Sequence, residues 1–173
     1  ADHIGGLTGA RKGRTIEAEW FGNIAAGSHA TIGEYSIDVL WPQEVGAVDE
    51  NPNNVSIAAI IRSKDLSLFA AGDIEPPVQE KLRGKVGRVD IYKVAHHGSR
   101  YQDPQLMHEL SPTVALISVG VGNSYGHPAA STIADLERVH AKVLRTDRDG
   151  AVAVEVHHHA VSFEREKSRP RWI

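Results

Sequence analysis

The chain has no cysteine, which excludes disulfides and thiolate metal ligands. Any metal it holds must sit on His, Asp, Glu or Asn, a donor set that favours Zn, Mn or Fe in nitrogen and oxygen coordination. Aromatics are scarce, with only three phenylalanines, so the core must be built mainly from aliphatic side chains. No apolar run approaches the roughly 18 residues that a membrane-crossing helix needs. A net charge of −3 shows no excess of positive charge, which argues against a general nucleic-acid coat but not against a local basic path.

What is present fits one α/β domain over residues 1–173. That length is enough to bury a core unaided. Apolar and polar residues alternate at 14–20 and 35–42, which predicts strands. The glycine-rich stretch between them reads as a loop, and 42–54 as a turn-rich connection. Residues 54–62 and 66–73 form a hairpin about the Ser63-Lys64-Asp65 turn. Short helices follow at 75–84 and 104–112, with prolines in the first turn of each. A buried strand at 113–120 leads through the loop 121–128 to an amphipathic helix over 128–143. Strands at 143–146, 151–157 and 160–166 close the chain, the last two joined by a turn that contains the last histidine run.

Ten histidines is a high number for this length, and their setting matters more than the number. An apolar strand delivers His96 and His97 to the loop 96–100, while the strand before it ends in Gly72-Asp73. Neighbouring strand ends that carry a carboxylate and imidazoles suit a metal site. Each residue also has a plainer reading. Asp73 suits a helix N-cap, and His97 suits a residue that supports a ligand. Ser99 either caps the next segment or touches substrate. Asn54 is either an oxygen ligand or a cap. His127, before Pro128 at a helix start, lies near backbone N–H donors suited to phosphate, or is a turn histidine. Asn123 and Tyr125 beside it bond phosphate oxygens or serve the turn. Arg11, Lys12 and Arg14, and the basic tail from Arg165 to Arg171, read as solvated faces or as contacts to a DNA backbone.

The ordered segments DHIGGL, NNVSIAAII, FAAGDIE, KVAHHGS, ISVGVGNSYGHP and RTDRDGAV resemble the C-terminal domain of the ComEC family, the DNA-uptake channels of competent bacteria. More broadly they resemble the metallo-β-lactamase superfamily, with its H-x-[HD]-x-D-H motif and its later GD and His. The resemblance implies an αββα sandwich with two divalent ions, Zn or Mn, at the strand ends. It implies Asp2, His3, Asp73 and His96 as ligands, with Asp73 bridging. His97 and His127 would handle the leaving oxygen or a phosphate oxygen, and Ser99, Asn123, Tyr125 and Asn54 would lie against substrate.

The implied activity is phosphodiester hydrolysis of DNA, single-stranded or the non-transforming strand, during natural transformation. The implied setting is a soluble domain of an inner- or plasma-membrane protein, partnered by an upstream membrane channel domain of the same polypeptide. Alternatives are a metal-free DNA-binding or channel-docking module, and an ester or lactone hydrolase of the same fold. Because Asp2-His3 is only the second half of the opening motif, the chain is expected to be N-terminally truncated. It is also expected to bind metal weakly by itself.

Overall fold

The computed structural model describes residues 24–158 and 160–166. Asp2, His3, the strand expected at 14–20, the basic cluster at 11–14, His159 and the tail 167–173 lie outside the described residues. The described elements run β1 (His29–Ile32), β2 (Tyr35–Trp41), β3 (Ala58–Arg62), β4 (Ser67–Ala70), α1 (Pro76–Leu82), β5 (Ile91–Lys93), α2 (Pro104–Leu110), β6 (Val114–Ile117), α3 (Ala130–Arg138), β7 (Lys142–Arg145), α4 (Thr146–Asp149), β8 (Val152–His157) and β9 (Ala160–Arg165).

Strands β1 to β7 form one mixed sheet in sequence order, and β8 pairs with β9 apart from it. From β1 to β4 the pairing is antiparallel, through hairpins; from β4 to β7 it is parallel. Each parallel step must cross over, and α1, α2 and α3 supply the crossovers. Parallel crossovers favour one hand, so three in one direction bring their helices to the same face, and α1, α2 and α3 share one core cluster. That face carries the register row Ile60, Phe69, Tyr92, Ala115. It buries the row against Val78 and Leu82 of α1, Leu106, Met107 and Leu110 of α2, and Leu136 of α3. Phe69 and Tyr92, both fully buried, stack with ring centroids 5.8 Å apart. The opposite face carries Ile61, Leu68, Ile91 and Val114 in register. Ile61 and Leu68 there are only half-buried.

Several boundaries differ from the sequence reading, and four of the differences have a visible local cause. The glycine-rich stretch expected as a loop contains β1, which a tight turn at Gly33 folds onto β2. The strand expected over 54–62 begins only at Ala58. Residues Pro52–Val55 are a 3-10 turn, because the Asn51 side chain accepts the Asn53 N–H and winds the chain before it can extend. The helix expected over 128–143 spans 130–138; His140 turns left-handed at φ 62°, and Val143 and Leu144 pair with β6. Strand β6 covers only Val114–Ile117 of the expected 113–120, since Val119 turns aside to bond Thr146.

The core depends on the Phe69–Tyr92 pair, so Phe69→Ala should destabilise the chain by about 3–5 kcal/mol. Urea unfolding would read this as a lower midpoint at an unchanged slope.

Candidate active site

Parallel strands all end at one edge, and loops there converge outside the sheet. Asp73 follows β4, His96 and His97 follow β5, the loop 118–127 follows β6 and Thr146 follows β7. A cleft of about 660 Å³ opens at this edge, lined among others by Asp73, His96, His97, Asn123, Tyr125 and His127. The sequence therefore placed Asp73, His96, His97, His127, Asn123 and Tyr125 in one place.

The histidine turn is held in an uncommon backbone shape. His96, His97 and Gly98 have φ of 46°, 52° and 76°, three left-handed residues in a row. Such a conformation costs a side-chain-bearing residue roughly 1–2 kcal/mol, so the surroundings must hold it. His96 N–H donates to the Gly72 carbonyl at 3.1 Å, Ser99 N–H to the His96 carbonyl at 2.9 Å, and Ala129 N–H to the Gly98 carbonyl at 2.8 Å. The peptide just before is held from below. Ala95 N–H donates to the Tyr92 hydroxyl and its carbonyl accepts from buried Gln102. Burial pushes the Tyr92 phenol up, leaving it protonated.

Both glycines of the site are required. A Cβ on Gly72, at φ 57°, would lie 2.7 Å from the Ile57 carbonyl oxygen, and one on Gly98 would lie 2.7 Å from Pro128. Close approach of the GD loop to Ile57, and of the histidine turn to the start of α3, depends on the missing side chains.

The two histidines are anchored through the same ring nitrogen. His97 Nδ1–H donates to the Ser118 carbonyl at 2.7 Å, and its Nε2 lies 3.8 Å from Asp73 Oδ1. His96 Nδ1 lies 3.2 Å from Glu75 Oε1. For His97 this leaves Nε2 as the available donor atom, which is how metal-binding imidazoles are commonly oriented; Nδ1 of His96 also accepts from Asn53 Nδ2 at 3.5 Å. The His127 ring meets His96 edge-on at 5.5 Å between centroids, and Tyr125 stacks outside it at 6.1 Å. Burial first, then the neighbouring His96, His97 and Arg100, hold the His127 imidazole below the usual histidine value, with Asp73 pulling the other way. Lys93 reaches the same end of the sheet, where burial lowers its ammonium below the ordinary range and Asp73 draws it back up.

Other expected residues sit beneath the cleft. Ser99 is 1% exposed; its Oγ accepts the Tyr101 N–H and its carbonyl accepts the Thr132 hydroxyl at 2.6 Å. Asn54 is buried, and its Oδ1 accepts the Glu75 N–H at 3.1 Å, so it caps the start of α1. Asp73 is not the N-cap of α1; Glu75 stands at that position. Asn123 Oδ1 accepts the N–H groups of Tyr125 and His127, which shapes the loop. Asp2 and His3 lie outside the described residues. Among the described residues no three His, Asp or Glu side chains come close enough to hold a metal ion. Asp73, His96 and His97 are of the donor types that suit a divalent cation, but these three alone do not converge into a site.

Residues the sequence reading missed are Glu75, Lys93 and Thr146. The Thr146 hydroxyl both accepts from Val119 N–H and donates to Val119 carbonyl, at 2.7 Å each, and joins the β6 and β7 loops. The forked Arg145–Asp147 pair behind it holds Asp147 below the usual carboxylate range, chiefly by hydrogen bonding.

Two outcomes follow from this geometry. Gly84→Ala, at φ 70° in open space, should cost only the left-handed penalty of about 1–2 kcal/mol. Gly72→Ala should cost roughly 1–3 kcal/mol more through overpacking; equal losses in chemical denaturation would refute the close approach. His127 should titrate below an ordinary histidine when followed by NMR in metal-free protein. Its folded-state value lies below the unfolded value near ~6.5, so its contribution to stability is present above that value and is lost as the pH falls.

No family model matches the chain. It is 28% identical to ComE operon protein 3 of Bacillus subtilis over 75% of its length. It is 29% identical to Recombination protein 2 of Haemophilus influenzae over 67%, and 29% identical to Competence protein ComA of Neisseria gonorrhoeae over 66%. The matches span only 17%, 15% and 17% of those proteins. A solved structure from Parabacteroides distasonis, described as a metal-dependent hydrolase, superposes on 72% of this chain and 56% of its own with a TM-score of 0.47 and 14% identity. Among the described residues no helix is long and apolar enough to cross a membrane. The chain is a homologue of ComE operon protein 3, Recombination protein 2 and Competence protein ComA over a small part of their length.

Proposed function

We propose that this chain is the metallo-β-lactamase-like αββα domain of a ComEC-type protein, and that it hydrolyses DNA phosphodiester bonds with two divalent ions, Zn or Mn. The observation that carries the reading is the meeting of Asp73, His96, His97 and His127 at one strand edge, with the Nδ1 atoms of His96 and His97 both committed elsewhere. The half-buried Ile61 and Leu68 on the face opposite the helices suit a further layer, as an αββα sandwich requires. The proposed substrate is DNA, single-stranded or the non-transforming strand, and the proposed partner an upstream membrane channel domain; the chain's likeness to a protein named for competence fits this reading.

Asp73, His96 and His97 would hold the ions, joined by Asp2 and His3. When bound, paired divalent ions supply positive charge against the attacking and leaving oxygens of a phosphoryl displacement. The remaining work falls to the chain. The Ser118 carbonyl restrains the His97 imidazole, and the Asn53 amide bonds the His96 ring. His127, held toward its neutral form, is suited to pass a proton to the leaving oxygen or to donate to a phosphate oxygen. Tyr125, 81% exposed at the rim, is placed to meet substrate outside the cleft.

The test offers single-stranded DNA, duplex DNA and a small ester or lactone to the chain supplied with Mn or Zn. Metal-dependent DNA cleavage is expected, abolished in Asp73→Ala and reduced about 10²–10⁴-fold in His127→Ala. Turnover of the ester with DNA untouched would replace this reading with a small-molecule hydrolase. DNA binding without turnover at full metal loading would replace it with a binding module.

A further inference from the structure

We propose that Tyr125 is a specificity-determining residue of the cleft: its open ring face takes an unpaired base, while Arg100 takes a phosphate of the same strand. The proposal rests on the reading of DNA as the substrate given above, and adds a physical basis for choosing single strands over duplex.

Tyr125 is the most exposed aromatic side chain among the described residues, at 81%, yet it lines the cleft. Its ring stacks on His127 with centroids 6.1 Å apart and planes 20° from parallel. One face is therefore turned to His127, and the exposure leaves the other open. The loop beneath keeps the ring in place. Asn123 Oδ1 accepts the N–H groups of Tyr125 at 2.9 Å and His127 at 3.3 Å, and Asn123 N–H donates to the Gly120 carbonyl at 3.3 Å. His127 in turn meets His96 edge-on at 5.5 Å. A flat face already held in one orientation loses little freedom when a ligand covers it.

Arg100 supplies the charge. It is exposed, two residues beyond the histidine turn, and its guanidinium carbon lies 5.6 Å from the centre of the Tyr101 ring. A guanidinium laid against an aromatic face keeps its N–H groups for a phosphate. Arg62, Arg83, Arg138, Arg145 and Arg165 each pair with a carboxylate; among the described residues Arg100 does not. Its charge is felt at His127, so the cation and the Tyr125 ring flank one imidazole. Together they match a strand whose bases are unpaired. Base and phosphate are one sugar apart, so a base lying on Tyr125 leaves its phosphodiester at the mouth of the cleft. Stacking accepts any base, because every base has a π-face. Bases in a duplex are covered on both faces and reach Tyr125 only when unstacked. Arg100 meets phosphate in either form, so the choice between them lies with Tyr125.

The experiment measures binding by fluorescence anisotropy with a chelator present, so that no strand is cut. The probes are labelled oligothymidylate, the same backbone with abasic residues throughout, and a duplex of equal length. Tyr125→Leu should lose about 5- to 150-fold in affinity for oligothymidylate, with duplex binding little changed, and Tyr125→Phe should retain it. The abasic strand should bind the unsubstituted chain as weakly as oligothymidylate binds Tyr125→Leu, and the two losses should not add. Arg100→Gln should lower the slope of log affinity against log salt by about 0.7 on either single strand. Equal affinity of the unsubstituted chain for oligothymidylate and the abasic strand overturns the role of Tyr125, and so do equal losses on single strand and duplex in Tyr125→Leu. An unchanged salt slope overturns the role of Arg100, and a chain that binds no oligothymidylate overturns both. If Tyr125→Leu does not fold, the two strands compared on the unsubstituted chain decide. If binding behaves as expected but the chain supplied with Mn cuts no DNA, the role of Tyr125 stands and the hydrolysis reading fails.

Discussion

Three consecutive left-handed residues at 96–98 are the constraint around which this sheet edge is arranged. Two of them carry side chains, so the local backbone alone would not choose this shape. It persists because both sides of the turn are bonded. The Gly72 carbonyl takes the His96 N–H from the β4 side, and the Gly98 carbonyl receives the Ala129 N–H from the α3 side. Underneath, Tyr92 and Gln102 hold the Ala95 peptide. The result is a turn that sends two adjacent imidazoles toward one cleft, where an extended strand would send them to opposite faces.

That turn ties the core to the site. Tyr92 stacks on Phe69 in the middle of the sheet, and its hydroxyl reaches the peptide before His96. Gln79 lies fully inside the helical layer. Its Nε2 donates to the Ile74 carbonyl and its Oε1 accepts the Asp103 N–H, both at 2.6 Å, so α1 and the loop before α2 share one buried amide. Asp103 in turn takes a two-pronged contact from Arg83. Polar groups buried this way must all be paired, and no buried side-chain polar atom among the described residues lacks a partner. Displacing α1 would therefore disturb the loop beneath the histidines as well as the hydrophobic packing.

The sequence disclosed the parts of the site that lie next to one another in the chain. Gly72-Asp73 and His96-His97-Gly98 each follow a strand at once, and parallel order brings both to the same edge. The segment from Asn123 to His127 was legible for the same reason, since its turn is built from its own side chain. What could not be read were contacts between distant residues and contacts made by backbone atoms. Glu75 meets Asn51 across 24 residues, and no local pattern announces it. Ser118 offers a carbonyl, which any residue there would offer. The fold boundaries that moved did so where a polar side chain overrode an apolar pattern: Asn51 ahead of β3, and His140 ending α3 inside a run whose hydrophobic period continues.

The cleft divides its polar groups by what they still have free. Ser99 and Asn54 spend their side-chain oxygens on backbone N–H groups and lie in the supporting wall. His96 and His97 each have Nδ1 engaged, so one nitrogen per ring remains to face the cleft. His127 differs from both, because its imidazole meets its neighbours ring against ring, His96 edge-on and Tyr125 stacked. A site that holds cations and also moves protons needs this division. Ligand rings must not rotate, and the proton-handling ring must be neutral and not bound at both ends. In this chain burial, and then the neighbouring His96, His97 and Arg100, hold the His127 imidazole below the usual histidine value, while the Ser118 carbonyl holds the His97 ring and Asn53 and Glu75 border Nδ1 of His96.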